Sequence, residues 1–144
     1  MVSKSPDSEL AQLVLYIFRK MDNIDWLPFI KAAIERNPVC FTDLGEKNIT
    51  EVYSLLIGMP DESIYEGQRL ALPDEVWNFK RGDGIEKSLL LADVISNRDS
   101  SSDVRIEIEN HNVVLNYSGK DYHFHSLKKF RKSIRIKGTN YQIN

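Results

Sequence analysis

Few side chains in this sequence could do covalent or metal chemistry. The sequence contains one cysteine, Cys40, and three histidines, His111, His123 and His125. A cysteine and a histidine can form a nucleophile and its general base when a carboxylate orients the imidazole. Histidines two apart on a strand share one face and could ligate a metal ion. No acidic residue is spaced to complete a hydrolytic site with them, so we expect exposed strand histidines, no metal site and no cofactor.

Cys40 lies in the apolar stretch NPVCFTD, shortly after a proline. A cysteine in such surroundings is typically a buried, unreactive packing residue. A single cysteine also excludes an internal disulfide and a four-cysteine zinc site. We therefore predict a structural role for Cys40.

The stretch RGDGIEKSLLLADVI, residues 81–95, predicts a buried helix. Asp83 and Glu86 have the three-residue spacing of a capping box, and the residues that follow are apolar on most sides. The start of a helix offers amide groups to an anion, and these amides belong to Gly84 and Ile85. Gly84 has no side chain, so we expect it to relieve crowding where another segment crosses. The alternative is that its bare amide contacts a ligand.

The remaining pattern predicts helices first and strands second. Further helices are expected over about residues 6–21, over NIDWLPFIKAAIERN and over NITEVYSLLIG, and residues 59–73 are expected to be irregular. After a linker-like loop at 96–103, VRIEIEN, NVVLNYS and DYHFHS predict strands and SIRIKGTNYQI a terminal hairpin. The fold class is α+β, in a single domain over 1–144 with a helical part at 1–72 and the central helix and antiparallel sheet at 73–144.

Composition narrows the class of protein only modestly. The chain has 144 residues and a formal net charge of -2, which gives no general reason to expect nucleic acid as a partner. No apolar run reaches the roughly 18–20 residues that span a bilayer, and the first residues lack the apolar core of a secretory signal. We expect a cytoplasmic protein that does not contact a membrane.

The stretch PDEVWNFKRGDGIEKSLLLADVI resembles the surroundings of the nucleophile in microbial transglutaminase-like proteins, relatives of the papain-like cysteine peptidases. In that family a Gly-Asp pair and a cysteine open a central helix that runs into an Ala/Leu-rich segment. Gly82 and Asp83 match the pair, Gly84 stands at the cysteine position and Leu89–Ala92 matches the apolar segment.

The resemblance continues through HNVVLNYSGKDYHFHS and covers about residues 73–126. His111 stands at the position of the family's catalytic histidine, Gly119-Lys120 at its turn and Tyr122 at its aromatic residue. His125 stands where the family has an aspartate. The resemblance therefore implies a transglutaminase-like core that has lost two of its three catalytic groups.

This implies a non-catalytic binding or protein-interaction domain, a pseudoenzyme whose partner is an unidentified protein or a small anionic ligand. The expected ligand cleft comprises Trp77, Asp83, Gly84, Ile85, His111 and His125.

Two alternatives remain open. One is an enzyme with reworked chemistry that uses His111 and His125 with Glu86 or Asp83. The other is a nucleic-acid- or anion-binding protein that acts through the basic segment 127–137, since residues 120–144 contain seven lysines and arginines and one acidic residue. The expected anion-binding residues are Lys128, Lys129, Arg131 and Lys132. Charge on a protected edge strand is the competing explanation for that segment.

Overall fold

A computed structural model describes Met21 and residues 25–144. In chain order the elements are α1 Leu27–Glu35, α2 Pro38–Asp43, α3 Ile49–Gly58, α4 Pro73–Phe79, α5 Gly84–Arg98, β1 Asp103–Glu109, β2 Asn112–Tyr117, β3 Lys120–His125, β4 Arg131–Lys137 and β5 Asn140–Ile143. This order confirms the predicted α+β class. The helix predicted over residues 6–21 lies outside the described residues, apart from Met21. No helix in the described part of the chain combines the length and apolarity of a membrane span.

Two short helices, α2 and α4, are absent from the sequence prediction. Each begins at a proline, Pro38 in α2 and Pro73 in α4. Proline suits the first turn of a helix, because its fixed φ is helical and no hydrogen bond needs its missing N–H there. The proline that ends one predicted element therefore starts the next helix.

The helix α5 is the centre of the molecule. Residues 84–95 are all buried, which confirms the predicted buried helix. The helices α1 to α4 pack on some of its sides and the strands β1 to β3 on another. Because α5 is enclosed on several faces, even its polar residues need hydrogen-bond partners inside the protein.

The five strands form one antiparallel sheet in the order β3-β2-β1-β4-β5. The middle strand β1 places Ile106 between Leu115 of β2 and Ile134 of β4. Alternate residues of β1 are buried toward α5, while the others are exposed or half-buried. The sheet thus has one apolar face, which covers α5, and one polar face.

The loop between α5 and β1 is shorter than the predicted stretch 96–103. The helix α5 continues through Arg98, and β1 begins at Asp103. The side-chain amide of Asn97 donates to the carbonyl oxygen of Ile34 at 2.9 Å. The guanidinium group of Arg98 donates to the carbonyl oxygen of Leu44 at 2.5 Å. These tertiary hydrogen bonds hold the last turn of α5 in place, although its residues resemble a loop.

Residues 59–72 connect α3 to α4 without a regular helix or strand, which agrees with the predicted irregular stretch. Lys87, in the first turn of α5, holds the beginning of this connection. Its ammonium group donates to the carbonyl oxygen of Met59 at 2.7 Å and to Asp61 Oδ1 at 2.6 Å.

Lys128 holds the middle of the same connection from the other side. Its side chain is buried, and its ammonium group donates to the carbonyl oxygens of Tyr65 at 3.2 Å and Gly67 at 2.5 Å. Burial lowers the pKa of Lys128, against the opposing effect of the nearby Glu86 and Asp83 carboxyl groups. Lys128 therefore anchors a loop from inside the protein.

We predict that Lys128→Ala lowers the free energy of unfolding by ~1–3 kcal/mol, because two carbonyl groups lose their buried donor. The matched control is Lys129→Ala, at the next position, where the side chain is exposed and the change should stay within about 0.5 kcal/mol. Urea unfolding of both variants measures the difference. Equal stabilities would contradict the anchoring role.

Candidate functional site

The start of α5 carries the capping box that the sequence predicts. The Asp83 carboxylate accepts the N–H of Ile85 at 3.0 Å, and Glu86 Oε1 accepts the N–H of Asp83 at 2.7 Å. Glu86 Oε2 accepts the N–H of Ala71 at 2.5 Å. Burial is the main cause that raises the pKa of Glu86 to about 7, and the two backbone N–H groups oppose it.

Asp83 also binds the chain that follows β3. Its Oδ2 accepts the hydroxyl of Ser126 at 2.7 Å, and its Oδ1 accepts the N–H of Leu127 at 2.8 Å. The carboxylate is 1 % exposed. All its bonds therefore serve the fold, and neither Asp83 nor Glu86 orients an imidazole.

Gly84 packs directly against the backbone of His125. A Cβ atom built on Gly84 would lie 2.2 Å from the carbonyl oxygen of His125 and 2.8 Å from its backbone nitrogen. Such distances are far inside van der Waals contact, so this position admits only glycine without a backbone shift. The expectation that Gly84 relieves crowding where another segment crosses is confirmed.

This packing leaves little free space at Gly84 and Ile85, two residues of the expected cleft. The amide of Ile85 is already occupied by Asp83, and the space beside Gly84 is occupied by the end of β3. The helix start is thus a packed junction with no room for a side chain such as a cysteine.

Two of the expected cleft residues do meet at the surface above this junction. The rings of His111 and His125 stack with centroids 5.7 Å apart and an angle of 26° between their planes. His111 Nδ1 lies 2.7 Å from the carbonyl oxygen of Ser126, which favours the tautomer with the proton on Nδ1. Both histidines are exposed, so their imidazoles face solvent.

His123 and Trp77 have other partners. His123 is exposed on β3, and its backbone exchanges hydrogen bonds with the hydroxyl of Tyr53. Trp77 is half-buried, its Nε1 donates to Asp43 Oδ2 at 2.8 Å, and the Lys80 ammonium group lies 3.0 Å from its ring centroid. These contacts assign Trp77 to the junction of α2 and α4.

Cys40 lies in a polar cluster that sequence analysis missed. Its thiol donates to Asp93 Oδ2 at 2.9 Å, and Asp74 Oδ1 accepts the N–H of Cys40 at 2.9 Å. These three side chains lie within 4.8 Å of one another, and they are the one such group of metal-ligating type among the described residues. The histidines are not part of it. An aspartate inside the apolar run LLLADVI is the signal that could have pointed to this cluster.

The chemistry of this cluster is that of a buried hydrogen-bond network. Burial, followed by the nearby Asp93 and Asp74 carboxyl groups, raises the pKa of the Cys40 thiol, and Cys40 is fully buried. Burial also raises the pKa of Asp93 to about 8, although hydrogen bonds from Cys40 and Asn97 oppose that shift. A thiol with a raised pKa is a poor nucleophile, which agrees with the predicted structural role of Cys40.

The four expected anion-binding residues are not equivalent. Lys128 points into the protein, Arg131 lies 3.5 Å from the exposed carboxylate of Glu109, and the Lys132 ammonium group lies 5.7 Å from the Trp26 ring centroid. Lys129 is exposed. The competing explanation, charge on an edge strand, is wrong because β4 lies between β1 and β5. The basic segment therefore does not present a continuous cationic surface.

Comparisons with protein families, with curated proteins and with solved structures returned no match. The resemblance to the transglutaminase-like family thus stays a prediction that depends on the residues named above.

We predict that Gly84→Ala lowers the free energy of unfolding by at least ~2 kcal/mol, because the new methyl group meets backbone atoms that cannot move independently. The matched control is Gly58→Ala at the end of α3, where a Cβ has nothing within 4 Å and the effect should be small or stabilising. Chemical denaturation gives both values, and soluble yield reports a Gly84 variant that does not fold. Equal behaviour of the two variants would contradict the packed junction.

We predict that Asp93→Asn becomes progressively more stable than the parent as pH rises from about 4 to about 8. The folded state raises the pKa of Asp93 from 3.8 to about 8, so its stabilising contribution is present at acid pH and is lost as pH rises through about 8. Asparagine, which carries no charge, avoids this loss. The pKa of Glu86 is also raised, but Glu86 is present in both proteins, so its effect cancels in the comparison.

The control for this pH series is Asp99→Asn. Hydrogen bonds from Ser101 lower the pKa of Asp99 from 3.8, so its pH-dependent contribution changes only at more acid pH, and the stability difference between this variant and the parent should stay flat from about pH 4 to about pH 8. Urea unfolding at several pH values measures both trends. A flat difference between Asp93→Asn and the parent would contradict the raised pKa.

Proposed function

We propose that this chain is a non-catalytic binding domain. The observation that supports this most strongly is the packing of Gly84 against the backbone of His125, at the position where the resemblance expects a nucleophile. A residue without a functional group, enclosed by backbone, neither attacks a substrate nor leaves space for one. In this proposal, Gly84 stands at the former nucleophile position of a transglutaminase-like core.

The other groups that chemistry would need are used elsewhere. Cys40 is fully buried and donates to Asp93, so it cannot replace the missing nucleophile. Every oxygen of Asp83 and Glu86 accepts a hydrogen bond from a neighbouring backbone or hydroxyl group. An enzyme built on His111 and His125 would therefore lack an orienting carboxylate from these two residues.

Nucleic acid is the less favoured partner. A nucleic-acid surface needs clustered cations that face solvent. Here Lys128 is buried and Arg131 lies beside Glu109, which reduces the charge that segment 127–137 can offer. A small anionic ligand or a protein agrees better with the mixed charge of the surface.

We predict that a small thiol-reactive compound leaves Cys40 unmodified in the native protein and modifies it fully after denaturation. Burial and the raised pKa both protect the thiol. Mass spectrometry before and after denaturant measures the difference, and Cys40→Ser provides the blank, since the chain has one cysteine.

Hydrolysis of an activated ester by the native protein tests the histidine-based alternative. We expect His111→Ala, His123→Ala and His125→Ala to reduce the rate by similar small amounts, as three exposed imidazoles would. Rapid native labelling of Cys40, or saturable hydrolysis that only His111→Ala and His125→Ala abolish, would overturn the non-catalytic proposal.

A further inference from the structure

An open cleft of about 830 Å³ lies at the opposite end of α5 from Gly84. It is bounded by α1, by the last turns of α5 and by the hairpin of β4 and β5. Its lining includes Lys31, Glu35, Ser96, Asn97, Lys137 and Tyr141. Since α5 rises 1.5 Å per residue, Ser96 lies about 18 Å along the helix from Gly84. The cleft is therefore separate from the packed junction.

The cleft lining carries two positive charges, on Lys31 and Lys137, and one negative charge, on Glu35, so it is positive by one charge. Lys31 and Lys137 are both exposed, and neither ammonium group lies within salt-bridge distance of a carboxylate in the part of the chain that the structure describes. The lining carboxylate, Glu35, accepts the hydroxyl of Tyr141 at 2.6 Å. Two ammonium groups are thus available to an anion.

The rest of the lining offers hydrogen-bonding groups. The Ser96 hydroxyl oxygen is buried in the cleft wall, and it is the one buried side-chain oxygen or nitrogen without a partner among the described residues. Rotation of the Ser96 side chain between its staggered rotamers would give this hydroxyl a ligand partner. The Asn97 amide nitrogen donates to Ile34 and Asp93, which leaves the side-chain oxygen of Asn97 as an acceptor.

The walls of the cleft are held in place before any ligand arrives. Gly138 adopts a φ of 59°, and its N–H donates to the carbonyl oxygen of Ser102 at 3.3 Å, which fixes the hairpin turn on the loop after α5. The hydroxyl of Tyr141 donates to Glu35 across the cleft, which fixes the tyrosine side chain. The half-buried ring of Tyr141 supplies some apolar surface. Such preorganisation lowers the entropy cost of binding a small molecule.

We infer that this cleft binds a small hydroxylated anion, a sugar or polyol that carries one phosphate or carboxylate group. Lys31 and Lys137 bind the anionic group, while Ser96 and Asn97 bind hydroxyl groups. The inference rests on the proposed function, because it assigns the ligand site of a binding domain.

The test is an NMR titration of the ¹⁵N-labelled full chain with four probes: glucose 6-phosphate, gluconate, glucose and inorganic phosphate. We expect saturable shifts at the amides of 96–101 and 137–141 with one or both hydroxylated anions. Glucose and inorganic phosphate should bind at least about tenfold more weakly, since each lacks one of the two recognised features. The tighter of glucose 6-phosphate and gluconate identifies the anionic group.

Variants locate the site. Lys31→Ala and Lys137→Ala should each weaken binding by about tenfold, and Ser96→Ala should weaken it less. The matched control is Lys120→Ala on β3, at the opposite edge of the sheet from β5, which should leave affinity unchanged.

Several results would overturn the inference. These are the absence of saturable shifts with either hydroxylated anion, equal affinity for inorganic phosphate, or an equal loss in Lys120→Ala. None of them alters the labelling of Cys40, so failure of this inference and failure of the proposed function are distinguishable.

Discussion

The buried carboxylate of Asp83 joins the two halves of this fold. It caps α5 through the N–H of Ile85, and it binds Ser126 and Leu127 at the end of β3. A buried carboxylate is costly unless donors surround it, and here three donors come from two separate parts of the chain. If the helix start moved away from the sheet, Asp83 would lose the donors of Ser126 and Leu127, so these two hydrogen bonds help to hold Gly84 against His125.

The same contacts decide where function can reside. The helix start is closed by a capping box and covered by the end of β3, so it offers no open position beside Gly84. The exposed imidazoles of His111 and His125 remain above it, without a carboxylate from Asp83 or Glu86. The opposite end of α5 borders an open cleft with polar and charged groups in its lining, and the capacity to bind a ligand is better supported there.

The features that the sequence predicted correctly are those that depend on neighbours along the chain. The capping box of α5, its burial and the alternation of β1 follow from spacings of two to four residues. The polar clusters could not be predicted in this way. Lys128 binds carbonyl groups some 60 residues earlier, and Cys40 binds an aspartate 53 residues later.

General tendencies also misled the interpretation of these residues. Lysine is rarely buried, so a run of basic residues predicts an exposed surface. The fold overrides that tendency at Lys128 because the loop at 65–67 presents two carbonyl groups that need a donor. The aspartate at position 93 in an apolar run indicates a buried polar group, but the sequence does not show that its partner is Cys40, 53 residues earlier.

The strand order has a consequence for how the chain reaches its native state. The strand β1 is the first of the sheet in the sequence, yet it occupies the middle. The pairing of β1 with β2 spans a turn of two residues between Glu109 and Asn112, whereas β1 also pairs Asp103 with the distant Lys137, so we expect the pairing with β2 to form first. During this interval β1 presents an unpaired edge that a second nascent chain could occupy. We therefore expect slower pairing of β4 with β1 to favour self-association over folding.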